Sequence, residues 1–133
     1  MKIREAVLMG MLVFSACSSG DDDHVFQLDS GQRFMLQEEY ASVDHGLSIG
    51  VEHVSDSRCP TGVVCIWEGE ATVYLYVRTQ NVQELVLSTV RQPKDTVQNY
   101  EIELVDVSPY PDISREIEQE DYEVTLKVRR IDS

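Results

Sequence analysis

Alternation of apolar and polar residues at every second position constrains this chain more than any other feature. From Trp67 to Arg78, one frame holds Trp67, Gly69, Ala71, Val73, Leu75 and Val77, and the other holds Glu68, Glu70, Thr72, Tyr74, Tyr76 and Arg78. Successive side chains of an extended strand point to opposite faces, so this period demands a strand with one face buried. The first frame is expected in the core. Near the other end, Tyr122, Val124, Leu126 and Val128 alternate with Glu123, Thr125, Lys127 and Arg129 in the same way. Leu47, Ile49 and Val51 alternate with Ser48, Gly50 and Glu52, and Tyr100, Ile102 and Leu104 with Glu101, Glu103 and Val105. Shorter candidates run from Val25 to Leu28, Arg33 to Leu36 and Val82 to Val90.

Between these stretches stand turn formers: Asp29-Ser30-Gly31, Asp44-His45-Gly46, Thr79-Gln80-Asn81 and Gln92-Pro93-Lys94-Asp95. Their chemistry ends strands and reverses the chain. No segment carries a helical repeat of apolar residues. The pattern therefore predicts an all-β fold, a single antiparallel β-sandwich of about seven or eight strands, with a small β-barrel as the alternative.

The N-terminus obeys a different rule. Lys2 and Arg4 precede an uninterrupted run of apolar residues and glycine from Ala6 to Phe14, closed by Ser15 and Ala16. That layout predicts a signal peptide over residues 1–16, because nine residues are far short of the roughly 20 a membrane-spanning helix needs. Phe14-Ser15-Ala16-Cys17 resembles the lipobox of bacterial lipoproteins, with Phe14 where leucine is usual. The resemblance implies that Cys17 is acylated and becomes the first residue of the mature chain. Residues 17–23, Cys-Ser-Ser-Gly-Asp-Asp-Asp, have nothing apolar to bury and are expected to form a flexible acidic tether to a domain spanning 24–133. Serine after the cysteine is similar to the outer-membrane sorting pattern, and the aspartate run to export signals of surface lipoproteins. The expected location is thus the cell envelope, at the outer membrane or cell surface, held by lipid.

Cysteine arithmetic agrees with export. Three cysteines are odd for an exported chain until one is assigned to lipid, and then Cys59 and Cys65 remain to pair. Pro60 and Gly62 can turn the intervening Pro60-Thr61-Gly62-Val63-Val64 back on itself. So short a loop contributes about 2 kcal/mol in the chain-entropy model. A redox pair would favour two intervening residues, and a zinc site further ligands at workable spacing, so a structural disulfide is expected. The formal charge of −13 sets a field that repels nucleic acid and anionic head groups. No nucleic-acid partner is expected.

The stretch Asp56-Ser57-Arg58-Cys59-Pro60, a short loop, Cys65, and then Trp67-Glu68-Gly69-Glu70-Ala71 resembles a motif of uncharacterised bacterial secreted proteins and lipoproteins. In that group D-S-R-C-P and W-x-G-x-A flank the loop and open a long strand; Ser108-Pro109-Tyr110-Pro111 and the closing strand are similar too. The resemblance implies an exported β-domain and no particular reaction.

Candidate contact residues follow from chemistry at the loop. Asp56 and Arg58 are placed to form an ion pair, or Arg58 to donate to nearby carbonyls. Trp67, in the core-facing frame, is expected to cover the disulfide. Asp56, Arg58, Trp67, Glu68 and Glu70 on a rigid loop make the first candidate binding surface, and Tyr110, in a long charged connection, extends it. Tyr74 and Tyr76 with Thr72 could form an outer aromatic strip, or be covered by a loop. There is no G-x-S-x-G, phosphate loop or H-E-x-x-H, so no catalytic residue, metal site or cofactor is expected. The sequence predicts a membrane-anchored binding or structural module that meets an envelope protein or a small ligand. An enzyme with a site assembled from scattered residues and a divalent-cation-binding acidic surface stand as alternatives.

Overall fold

The period-two stretches become strands, and the inward frame of each becomes the core. A computed structural model describes residues 24–131, which contain nine strands: β1 (Val25–Phe26), β2 (Gly31–Met35), β3 (Glu39–Ser42), β4 (Ser48–Asp56), β5 (Ala71–Arg78), β6 (Val82–Ser88), β7 (Lys94–Val97), β8 (Tyr100–Ser108) and β9 (Glu123–Arg130). They build a five-stranded sheet in the order β1-β3-β4-β5-β6 and a four-stranded sheet in the order β2-β9-β8-β7. Neither closes into a barrel. The expected signal peptide, acylated Cys17 and tether fall on residues 1–23, outside the described residues.

Ala71, Val73, Leu75 and Val77 of β5 are buried, facing Val124, Leu126 and Val128 of β9 across one shared core. Each of these valine and leucine side chains contributes roughly 1.5 to 3 kcal/mol on burial. Two registers slip by one residue. In β4, Val51 pairs with Leu75 but His53 with Tyr74, so Glu52 is the extra residue; in β8 the slip falls between Leu104 and Asp106. A bulge sends two consecutive side chains to the same side. Glu52 and His53 are accordingly both exposed, as are Val105 and Asp106, and the inward frame resumes at Val54 and Val107.

Several expectations change. There are nine strands, more than the seven or eight expected, because β3 and β7 are too short to carry an alternating signature. β3 offers only Tyr40 and Ser42 inward and β7 only Val97, within a stretch whose Pro93 and Asp95 read as a turn. The β1–β3 pair is parallel, whereas all other ladders between strands are antiparallel. Most consequentially, β5 starts at Ala71 and not at Trp67. Gly69 adopts φ +69°, and a Cβ there would stand 1.8 Å from the Ser57 carbonyl oxygen. That left-handed residue breaks the alternation, so the frame of β5 does not extend back to Trp67.

Candidate functional site

The segment between β4 and β5 leaves the sheet in two stages, a fastened base and a free tip. At the base the two strands continue as an irregular pair, with Ser57 N–H donating to the Glu70 carbonyl at 2.8 Å and Cys59 N–H to the Glu68 carbonyl at 2.9 Å. Gly69 permits this approach, since any side chain there would meet Ser57 backbone. Cys59 and Cys65 are disulfide-bonded, as expected from the sequence.

Beneath the loop lies a buried ion pair. Arg58 donates from Nε to Asp56 Oδ1 and from Nη2 to Asp56 Oδ2, both at 2.8 Å. It also donates to the carbonyls of Val107 at 2.7 Å and Pro109 at 3.1 Å. The ion pair and the carbonyl contacts, read from the sequence as alternatives, are both present. Tyr122 Oη donates to Asp56 Oδ2 at 3.1 Å, and the Tyr110 ring covers the guanidinium at 4.8 Å. Since Asp56 ends β4 and Val107 lies in β8, this clamp ties the two sheets together at one end of the sandwich.

The electrostatics follow from that geometry. Burial alone would raise the Asp56 carboxyl, but the Arg58 guanidinium and backbone N–H reverse this and hold it below the usual carboxylate range. Burial would lower Arg58, and Asp56 overrides it upwards. The Tyr122 phenol is pushed up to about 12, first by burial and then by the Asp56 charge that its ionised form would face. All of these shifts stabilise the charge state that closes the clamp.

Above the clamp the loop turns outward. Val64 is 99% exposed, Ile66 94% and Trp67 77%. Trp67 therefore does not cover the disulfide; residues 66 and 67 lie in a bend beyond the reach of the β5 frame. The neighbouring connection is stitched to this loop by Thr61 N–H donating to the Pro111 carbonyl at 2.9 Å and Ile113 N–H to the Thr61 carbonyl at 3.3 Å. Exposed Val63, Tyr110 and Ile113 thus join the same apolar prominence. The signal for it was present in the run Val63-Val64-Cys65-Ile66-Trp67, apolar without alternation in a proline- and glycine-turned loop, where no strand can bury it.

The expected binding surface consequently divides. Asp56 and Arg58 are buried in the clamp with Tyr110 over them; Trp67 and Glu68 are on the exposed loop. Glu70 is drawn away from it, buried and paired with Arg91 of the β6–β7 connection, whose backbone N–H also donates to Glu70 Oε2 at 3.2 Å. Arg91 holds that carboxyl below its ordinary range.

The outer face of the five-stranded sheet carries an open trough of about 410 Å³. The bulge contributes Glu52 and His53, β5 contributes Tyr74, and β6 contributes Glu84 and Val86. The His53 and Tyr74 rings lie 5.7 Å apart. Tyr76 lies over Gly50, where a Cβ would come within 2.3 Å of its ring. Tyr74 is exposed, and Tyr76 and Thr72 are half-buried, so the aromatic strip stands on the outer face. Among the described residues no group of three His, Cys, Asp or Glu side chains is placed to hold a metal ion. No family model matches the chain, and searches of curated proteins and of solved structures find no match.

Proposed function

We propose that the protein is a cell-envelope lipoprotein, cut after residue 16, acylated on Cys17 and held at the outer membrane or cell surface, and that it serves as a binding or structural module. The contact surface of that module is the tip of the Cys59–Cys65 loop. One observation carries the reading: Val64 and Ile66 are almost wholly exposed, and Trp67 largely so, on a loop whose base is fixed by a disulfide and a buried ion pair. Exposed apolar clusters cost solubility and mark contact sites when they persist. A fixed base lowers the entropy lost on binding, since the tip is already held in place. The disulfide supports an oxidising compartment, and the apolar run closed by Ser15-Ala16-Cys17 supports the anchor.

Two measurements test this. Mass spectrometry of native protein should find an acylated Cys17 at the N-terminus and no free thiol, and Cys17→Ser should move the protein to the soluble fraction; an intact Met1 removes the proposal. A photoreactive residue in place of Ile66 should form adducts in living cells, while one in place of Lys127, on the outer face of β9, should not. Equal labelling from both positions would show that the loop is no contact surface.

A further inference from the structure

We infer that the outer edge of β6 takes up an extended basic segment of a partner protein as a further strand, with one of its lysine or arginine side chains lying in the trough beside Tyr74 and Glu84. This contact surface is separate from the loop tip and stands without it.

The backbone of β6 carries the argument. Thr89 N–H returns to the Ala71 carbonyl at 3.0 Å, whereas Ser88 N–H turns away from β5 to the Gln92 carbonyl at 2.8 Å. Backbone groups alternate in direction along an antiparallel strand, and the β5–β6 register runs without a slip from Arg78–Val82 to Thr72–Ser88. The N–H and C=O groups of Val82, Glu84 and Val86 therefore point away from β5, as those of Ser88 do. Among the described residues none of these groups has a partner, because β6 ends its sheet. The other three edge strands are shorter: β1 has two residues, β7 four and β2 five, against seven in β6. A long, regular, open edge is a template for one more strand.

Charge selects which strand. On the outer face of the four-stranded sheet, acids and bases alternate across the ladder, Lys94 opposite Glu103 and Glu103 opposite Lys127, and Glu101 meets Arg129 at 3.2 Å. On the five-stranded sheet Glu39 meets Arg78 at 2.8 Å. The trough differs, since its two carboxylates, Glu52 and Glu84, have no cation against them among the described residues. A chain of net charge −13 repels a second copy of itself at such an edge and attracts a basic segment.

The side chains fit that occupant. Tyr74 pairs with Val86 and Tyr76 with Glu84, so Val86 and Glu84 stand on the outer face between the open edge and the two tyrosines. An added strand lies two strand spacings, roughly 10 Å, from β5, a gap that a lysine stem laid over Val86 and the Tyr74 ring close between them. The cation then meets the Glu84 carboxylate and the face of Tyr74, as charge pairing and cation–π attraction require. Backbone pairing supplies affinity, and the trough supplies the preference for a basic side chain.

The probe is a short fluorescent peptide of alternating valine and lysine, with glutamate in place of lysine as its control. The lysine peptide should bind and slow amide hydrogen exchange at Glu84 and Val86, with no such slowing in β2 or β7; the glutamate peptide should not bind. Val86→Pro removes an N–H that faces away from β5, a position where an edge strand tolerates proline. It leaves the net charge unchanged and should weaken binding about tenfold or more. Glu84→Lys, whose carboxylate has no ion-pair partner to lose, should weaken it at least as much and serves if the proline variant fails to fold. Binding that leaves the Glu84 and Val86 amides unprotected, or that survives these substitutions, is unspecific attraction to an acidic protein and overturns the inference. Displacement of the peptide by n-butylamine alone would assign the trough to a small amine, and protection that grows with protein concentration in the absence of peptide would assign the edge to a second copy. Either result overturns the inference, as does a peptide that fails to bind.

Discussion

Arg58 shows how one residue can hold an end of a sandwich. Its guanidinium faces a carboxylate, two carbonyls and a ring, and its side chain is only 10% exposed. Removing one partner of a buried pair leaves the other charge without compensation, at a cost of roughly 3 to 5 kcal/mol. Arg58→Met should lower stability by about that amount in urea unfolding. Arg58→Lys should recover only part of it, because an ammonium cannot engage both carboxylate oxygens and the carbonyls in one plane. The same clamp sets a pH dependence at each extreme. Asp56 has a native pKa below its unfolded value of about 3.9, so its contribution is complete above that pH and is lost as pH falls through the depressed value. Tyr122 works in the opposite sense. Its native pKa of about 12 exceeds the unfolded value near 10, so the unfolded chain releases the proton first and stability falls between those limits. Burial raises the Tyr40 and Tyr100 phenols as well, so spectrophotometric titration should show several late-ionising phenols, and Tyr122→Phe should remove one of them.

At the scale of an element, the β4–β5 connection separates rigidity from exposure. Gly69→Ala places a methyl against the Ser57 carbonyl at a positive φ, and no neighbouring side chain can yield, since the obstacle is backbone. A loss of about 2 kcal/mol or more is expected, read as a lower urea midpoint. Replacing both Cys59 and Cys65 by serine should cost about 2 kcal/mol yet leave the sheets assembled, because the base is held independently by Asp56, Arg58 and the Ser57–Glu70 contacts. Near-ultraviolet circular dichroism of the core tyrosines should therefore persist in that variant. Alternation located the long strands and their inward faces, since a strand half-buried along its length must repeat every two residues. It failed where that premise fails. The bulges at Glu52 and Val105 shift the frame by one residue, the short strands β3 and β7 bury only two side chains and one, and Gly69 cuts Trp67 off from β5.

Over the whole molecule, the core is one cluster shared by two sheets, and every fully buried side-chain nitrogen or oxygen among the described residues has a hydrogen-bond partner. Leu126, 1% exposed at the centre of β9, should cost about 2 to 5 kcal/mol when cut to alanine, with the urea midpoint as the readout. The sequence by itself determined the all-β class, the inward faces of the long strands and the pairing of Cys59 with Cys65. Each depends on the local order of residue types or on their count. Only the tertiary structure decided which polar groups are structural and which are free to make contacts. Asp56 and Arg58 stood as contact candidates until the carbonyls of Val107 in β8 and of Pro109 just beyond it closed over the pair, and Glu70 until Arg91 reached it from a distant turn. Trp67 looked like core until its loop left the sheet. Burial is a property of what packs from elsewhere in the chain, and alternation along a strand carries no information about partners some 20 to 50 residues away.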